Sequence, residues 1–467
     1  MIGNRTHAGG VWTNMHRSLA ILTVLSLAAC GADAAPSTAP STVPAPSTLP
    51  AAVESVTDPV TDTSTASDAS GSTAVAATNE GPQPLLQPLA DMAAVSTDGR
   101  VTVARGGVFS EPVNGLVAAD GDTLISTRVS ADQSTTTITW TTLADGAVEN
   151  ETEVHGVLTA IATDPTAKVV ALTAPVLGGT EIVITGRDGE LFRRMYDTEL
   201  LPEGFSDVYV DGSDMPIGLF VIEYLDPLPT TEGAPRRYRV RVLDTTSGQL
   251  GLPQNLRNKA ELVDEEMLGF GRTHVLSPAN GLLFTLYRGL DEDEAGYAFV
   301  HTLGFFNGVW CLDLPIDLDL GALSGSVVLG DNERKLYVVS ANGYMAEFVV
   351  DDIVNLDTPG DPEPRRTESV WRAPGNTAGP ALASSGAGLL VGQGGNLRWV
   401  DADSLTVTST QTWDMSIEAV SLLPDGTAVA AGTRRVSAIT PNGDLVGEAT
   451  LPDDFGPVAR IVVLDAK

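Results

Sequence analysis

Short runs of alternating or continuous apolar residues follow one another from about Pro84 to the end of the chain, with turn residues between them. Many of the turns are Asp-Gly or Asn-Gly pairs, such as Asp98-Gly99 and Asn442-Gly443. These pairs supply the positive φ angles that two-residue hairpin turns require. Few segments between the turns have a helical period. The pattern therefore predicts an all-β domain.

A four-stranded unit recurs along this domain. The clearest copy spans 417–451, with tight turns at Asp425-Gly426 and Asn442-Gly443. The spacing of about 49 residues is typical of β-propeller blades and too long for leucine-rich repeats. Similar units begin near Leu116, Leu158, Val208, Val275, Val327, Leu382 and Val420, with a fragment near Ala459.

The two ends of the domain complement each other. The first hairpin, Met92 to Gly106, is similar to the outer hairpin of a unit, and the last strand, Val458 to Leu464, is similar to an inner strand. Joining them in one blade would close the ring and remove its exposed edges. We predict seven blades, with eight as the alternative. In its repeats the chain resembles the bacterial YncE, TolB and WD40-like propellers, which implies a scaffold that presents loops. The Trp-Asp pair of WD40 repeats is not repeated here and occurs once, at Trp413-Asp414.

The amino terminus has the pattern of a secretory signal. Arg5 and Arg17 precede an apolar run from Leu19 to Ala29 that is too short to span a bilayer. Leu27-Ala28-Ala29-Cys30 resembles the lipobox of bacterial lipoproteins. The resemblance implies that residues 1–29 are removed and that Cys30 carries the lipid, which would place the protein on the extracytoplasmic side of a membrane. The alternative is a plain secreted protein.

Residues 30–83 are rich in Ser, Thr, Ala and Pro and have no apolar periodicity. Such a composition cannot offset the entropy of ordering the chain, so we predict a disordered tether. About fifty residues of flexible chain span about 40 Å on average. The propeller domain would then occupy residues 84–467.

The chain is strongly acidic, with 60 Asp and Glu against 27 Lys and Arg and a formal net charge of −33. This balance disfavours binding to nucleic acid, because phosphates must be neutralised over a wide surface. A short basic cluster, Arg236, Arg237, Arg239 and Arg241, stands out against it. The cluster either pairs with nearby acids or is kept for an anionic partner. A third interpretation places these arginines on the solvent face of an outer strand.

Three long segments lie in the third and fourth units: Leu225 to Arg236, Gly251 to Gly271 and Gly289 to Gly296. In a propeller they should all reach one rim on neighbouring blades. Long loops on a rigid scaffold commonly bind partners. We therefore predict a binding surface for a protein or small molecule there. Its candidate residues are Arg236, Arg237, Asp291, Glu292, Asp293 and Glu294.

No sequence pattern points to a cofactor or a metal. Asp291 to Glu294 is similar to the opening of a calcium loop, but Thr302 stands where the closing Glu is needed. His301 and Cys311 lie in apolar strands and are expected to be buried. A non-enzymatic binding or scaffold module is the favoured function. The alternative is an envelope hydrolase or lactonase-like enzyme with a metal in the central channel, which would need several polar side chains at the channel mouth.

Overall fold

The computed structural model describes residues 89–464 except 119–120, 206–217, 228–235, 256–263, 265, 291–295, 305–307, 315–324, 355–362, 370 and 372–378. Cys30, the predicted signal peptide, the predicted tether and the loop Asp291 to Glu294 lie outside the described residues. Within them, no helix is long and apolar enough to cross a membrane.

The fold is all-β, as the turn pattern predicts, and consists of antiparallel meanders. The first meander contains β4 (Val113–Val117), β5 (Thr123–Val129), β6 (Thr135–Thr142) and β7 (Val148–His155). The second contains β8 (Thr159–Thr163), β9 (Val169–Val176), β10 (Gly179–Gly186) and β11 (Gly189–Tyr196). The third contains β12 (Glu199–Phe205), β13 (Gly218–Tyr224), β14 (Arg236–Asp244) and β15 (Leu250–Gly251).

The short β16 (Gln254–Asn255) pairs in parallel with the last strand of the fourth meander. That meander contains β17 (Met267–Ser277), β18 (Leu282–Leu290), β19 (Gly296–Gly304) and β20 (Gly308–Asp313). The fifth contains β21 (Gly325–Gly330), β22 (Lys335–Ser340), β23 (Tyr344–Val349) and β24 (Arg366–Ser369), with the one-turn helix α1 (Val350–Val354) after β23.

The next part of the chain contains two long strands, each of which pairs with different neighbours along its length. After β25 (Ala381–Ser385), β26 (Gly388–Asp401) doubles back at Gly394, where φ is +56°. β27 (Thr406–Leu422) pairs with β26 through its first half and with β28 (Ala428–Gly432) through its second. β29 (Arg435–Ile439) and β30 (Leu445–Thr450) complete that last meander.

The chain ends meet in one sheet, which confirms the predicted closure. β31 (Val458–Val463) pairs antiparallel with β1 (Met92–Ser96), β1 pairs with β2 (Arg100–Arg105), and β3 (Val108–Phe109) borders β2. β31 is thereby the inner strand of a terminal meander. Together with the four-stranded meanders, this closure identifies the fold as a β-propeller.

Neighbouring meanders also share sheets, because β2 pairs with β4 and β14 pairs with β17. The number of blades stays a prediction. The third unit differs from expectation: its first strand is β12 (Glu199–Phe205), before the predicted start near Val208. β12 contains Pro202 and Gly204, with a register shift between them. Because both residue types are uncommon inside strands, the sequence pattern did not predict a strand there.

The apolar side chains lie between the meanders. Trp140 and Ile138 are fully buried between the first and second meanders, and Phe284 and Phe348 between the fourth and fifth. His301 and Cys311 are buried on facing strands, as predicted, and the His301 ring meets the Tyr287 ring edge-on. The sheets of these neighbouring meanders therefore pack face to face through their apolar side chains.

Candidate functional site

One rim of the propeller carries the turns between second and third strands and the connections between meanders; we call it the connection rim. The three long segments of the third and fourth meanders meet there. Arg236 is paired with Gly269 across β14 and β17, and Gly269 with Gly289 across β17 and β18. Leu290 is in turn paired with Gly296. The predicted clustering of the segments is confirmed for their described residues.

A stack of rings joins the two meanders below this rim. The Tyr238 ring lies 5.2 Å from that of Tyr287, which lies 5.4 Å from that of Phe299. Tyr238, Val240 and Val242 are buried on one face of β14, as their alternation with arginines indicates. The stack fixes β14 against the fourth meander and holds the other face of β14 in place.

Arg236 lies on the buried face of β14 with Tyr238, so the interpretation that all four arginines face solvent is wrong for this residue. It is 8% exposed. Its guanidinium donates two hydrogen bonds, of 2.9 and 2.8 Å, to the Glu199 carboxylate and lies 3.8 Å from the centre of the Tyr224 ring. The bond to Glu199 raises the pKa of Arg236. This arginine connects β12, β13 and β14.

The arginines on the other face of β14 also have acidic partners. Arg237 lies 2.8 Å from Asp226, and Arg241 lies 2.9 Å from Glu223 and 2.8 Å from Asp264. Arg239 pairs with Asp264 and Glu266. We call the four arginines and these acids, with Glu199, the β14 network. Of the alternatives from the sequence, pairing with nearby acids is the one that the structure shows.

The β14 network shifts the ionisation of its acids. Hydrogen bonds from Arg237 lower the pKa of Asp226, and a hydrogen bond from Arg241 lowers the pKa of Asp264. Both carboxylates therefore stay ionised well into the acid range. Arg237 keeps 54% of its side chain exposed, whereas Arg241 keeps 11%. Only the outer part of the network can touch another molecule.

Exposed apolar side chains lie on the same rim, in the first and second meanders. Val113, Val129 and Val157 are 39%, 37% and 48% exposed, and Leu177 at the β9–β10 turn is fully exposed. Exposed apolar residues gathered on one surface are typical of sites that bind proteins. The sequence analysis did not predict this surface. The signal that could have indicated it is Leu177, an apolar residue in a hairpin turn just before Gly178-Gly179.

One arginine of β26, Arg398, stacks on an aromatic ring that follows β24. The Arg398 guanidinium is 4.8 Å from the centre of the Trp371 ring. Trp371 donates a 3.1 Å hydrogen bond to buried Gln393, which donates a 2.8 Å bond to the Ala341 carbonyl. Burial lowers the pKa of Arg398. The stacked arginine therefore packs β26 against the segment after β24.

Inner strands carry the residues nearest the channel. Arg460 on β31 is exposed, and so is Asn114, which is paired with Arg100 across β4 and β2. Among the described residues, no group of three or more His, Cys, Asp or Glu side chains could hold a metal ion. The opposite rim carries the segment from Asp351 to Arg366, which joins β23 to β24 as predicted, although α1 at its start was not foreseen.

No protein-family model matches the chain, and no curated protein has significant similarity to it. Several solved structures are similar to it at low identity. Apo AztD from Citrobacter koseri is 10% identical, with 81% of this chain and 98% of that chain covered and a TM-score of 0.46. The β-propeller domain of Cps50 (Swd1) from Myceliophteria thermophila is 10% identical, with 73% and 96% covered and a TM-score of 0.41. BamB from Moraxella catarrhalis is 13% identical, with 77% and 93% covered and a TM-score of 0.35.

Proposed function

We propose that this chain is a lipid-anchored, extracytoplasmic β-propeller that binds a protein partner through the connection rim. The observation that carries the proposal is the apolar surface of that rim, formed by Val113, Val129, Val157 and Leu177. Apolar side chains on rigid hairpin turns lose little entropy on binding and can bury their surface against a partner.

The β14 network adds specificity to this surface. Its arginines are neutralised by neighbouring acids, so the network offers alternating charges to a partner instead of a uniformly basic patch. Rim charges of this kind act mainly on association rate and partner choice. The exposed Arg237 is the member best placed to contribute.

A pull-down from solubilised envelope tests the partner. Leu177→Asp should reduce retention of the captured protein by tenfold or more, because it places a charge in the apolar contact. Val148→Asp is the matched control, since Val148 is 62% exposed but lies toward the opposite rim. Equal retention by both variants would contradict the use of the connection rim.

A second pair of variants tests the charges. Arg237→Glu should weaken retention moderately, whereas Asp351→Lys on the opposite rim should leave it unchanged.

The lipid anchor has its own test. Cys30→Ser should move the protein from the membrane to the soluble fraction and remove the mass of the acyl chains. A variant that stays on the membrane with unchanged mass would exclude the lipid anchor and leave the rim experiment valid.

A further inference from the structure

Apolar side chains of the second meander gather at the connection rim, on the face that looks toward the third meander. Ala171 of β9 is buried in the core that the two meanders share, and alternation places Pro175 and Leu177 on the same side further along the hairpin. Pro175 is exposed, and Leu177 is fully exposed. Val157, which is 48% exposed, lies two residues before β8, the strand that pairs with β9. We call Val157, Pro175 and Leu177 the β9 wall.

The arginine face of β14 looks toward the same space. Leu243 of β14 is buried in the same core as Ala171, and three arginines occupy alternate positions on its side of the strand: Arg237, Arg239 and Arg241. Four acids pair with these arginines, namely Glu223, Asp226, Asp264 and Glu266. Asp264 and Glu266 keep 48% and 43% of their side chains exposed. An apolar wall therefore stands toward a charged wall in which acids outnumber arginines.

Neither wall offers a long free strand edge. β9 is paired with β10 up to the turn and with β8 up to Thr173, which leaves only three residues of β9 beyond β8. β14 is paired with β13 and, at this rim, with β17. An added strand of ordinary length therefore has no edge here to pair with. A segment that enters between the walls needs partners for its own backbone groups, and an α-helix supplies them internally.

We propose that the space between the β9 wall and the arginine face of β14 holds an amphipathic α-helix of the protein partner, with basic side chains beside its apolar stripe. The inference rests on the proposed binding at the connection rim and adds the kind of element that binds there. The apolar stripe packs on Val157, Pro175 and Leu177, as helices do in apolar grooves.

Charge decides between a basic and an acidic helix. The exposed carboxylates of Asp264 and Glu266 lie on the charged wall, and the whole chain has a net charge of −33. Lysines or arginines beside the apolar stripe are attracted by both, whereas acids there are repelled by both. The charged wall therefore selects a basic helix.

Binding of synthetic peptides to the detergent-solubilised full chain tests the proposal. The probes are an amphipathic Leu/Lys peptide of about 18 residues, a Leu/Glu peptide with the same pattern, and the Leu/Lys peptide with two central prolines that prevent a helix. Fluorescence anisotropy of labelled peptides gives the affinities. We expect saturable binding of the Leu/Lys peptide and at least tenfold weaker binding of the other two.

Variants of the protein locate the binding. Leu177→Ser should weaken binding of the Leu/Lys peptide at least fivefold, whereas Val148→Ser, at an exposed apolar residue toward the opposite rim, should change it less than twofold. Glu266→Gln should weaken it about threefold. Its matched control is Glu151→Gln, which removes the same charge from an exposed position on β7 and should change affinity less than 1.5-fold.

Several results would overturn the helix: no saturation by the Leu/Lys peptide, equal or tighter binding of the Leu/Glu or proline peptide, or equal losses in a variant and its control. Failure of the helix is distinguishable from failure of the rim. If Leu177→Asp lowers retention of the captured protein while the Leu/Lys peptide does not bind, the rim stands and the helix is wrong. Equal retention by Leu177→Asp and Val148→Asp would contradict both.

Discussion

The arginines of β14 and Arg460 of β31 lie in two different surroundings. On β14, every arginine reaches a carboxylate, from Glu199 of β12 to Asp264 before β17. On β31, the acid Glu418 bonds to the Val458 N–H and the Thr433 hydroxyl, and no residue in the described part of the chain pairs with Arg460. The strands that surround an arginine therefore decide whether it pairs with a carboxylate.

The largest expected effect comes from removing the strand that carries Arg460. Truncation after Pro457 should cost about 4 kcal/mol or more of unfolding free energy, because Val458 and Ile461 leave the core and β1 becomes an open edge. Urea denaturation followed by circular dichroism measures the loss. Ile461→Ala should give a smaller loss of about 2 kcal/mol. A truncated protein with wild-type stability would contradict closure by the chain ends.

Removal of one paired arginine should have the next largest effect. Arg241→Gln leaves Glu223 and Asp264 without their guanidinium and should lower the unfolding free energy by about 2 kcal/mol. Arg398→Met is the comparison, because Arg398 stacks on Trp371 and loses only that contact, worth about 0.5–1 kcal/mol. Equal losses in the two variants would show that the ion pairs of β14 contribute nothing beyond packing.

Acid should weaken the β14 network and leave the Arg460 region unchanged. The pKa values of Asp226 and Asp264 are lowered in the folded protein, so their contribution is present above the unfolded value of about 3.9 and is lost as pH falls through the folded values. The urea concentration at the unfolding midpoint, measured from pH 7 to pH 3, should decrease once the pH drops below about 4. Asp226→Asn with Asp264→Asn should flatten that fall, whereas Arg460→Gln should follow the wild-type profile.

The sequence predicted the fold because its periodicity is a local property. Alternation placed Tyr238, Val240 and Val242 inside, and the hairpin at Asp98-Gly99 and the last strand predicted the closure that β1 and β31 show. The first strand of the third meander was misplaced because Pro202 and Gly204 are rare inside strands. The inner position tolerates them, since one edge of that strand needs no partner.

The candidate site was predicted less well, because charge pairing joins residues that are far apart in the sequence. Arg236 follows Glu199 by 37 positions and bonds to it only because β12, β13 and β14 fold together. No local pattern shows this. The sequence shows an apolar residue, Leu177, in a turn. It does not show that Leu177 belongs to a larger apolar surface, because the other exposed residues of that surface are distant in the sequence.

The contrast between paired and unpaired arginines has one direct measurement, the unfolding free energies of Arg236→Gln and Arg460→Gln under the same conditions. Arg236→Gln should lose about 2 kcal/mol, because it breaks the bidentate pair between the buried Arg236 and the partly exposed Glu199. Arg460→Gln should stay within about 0.5 kcal/mol of wild type, because the side chain is exposed and no described residue pairs with it. Equal losses in the two variants, or a larger loss for Arg460→Gln, would contradict the account.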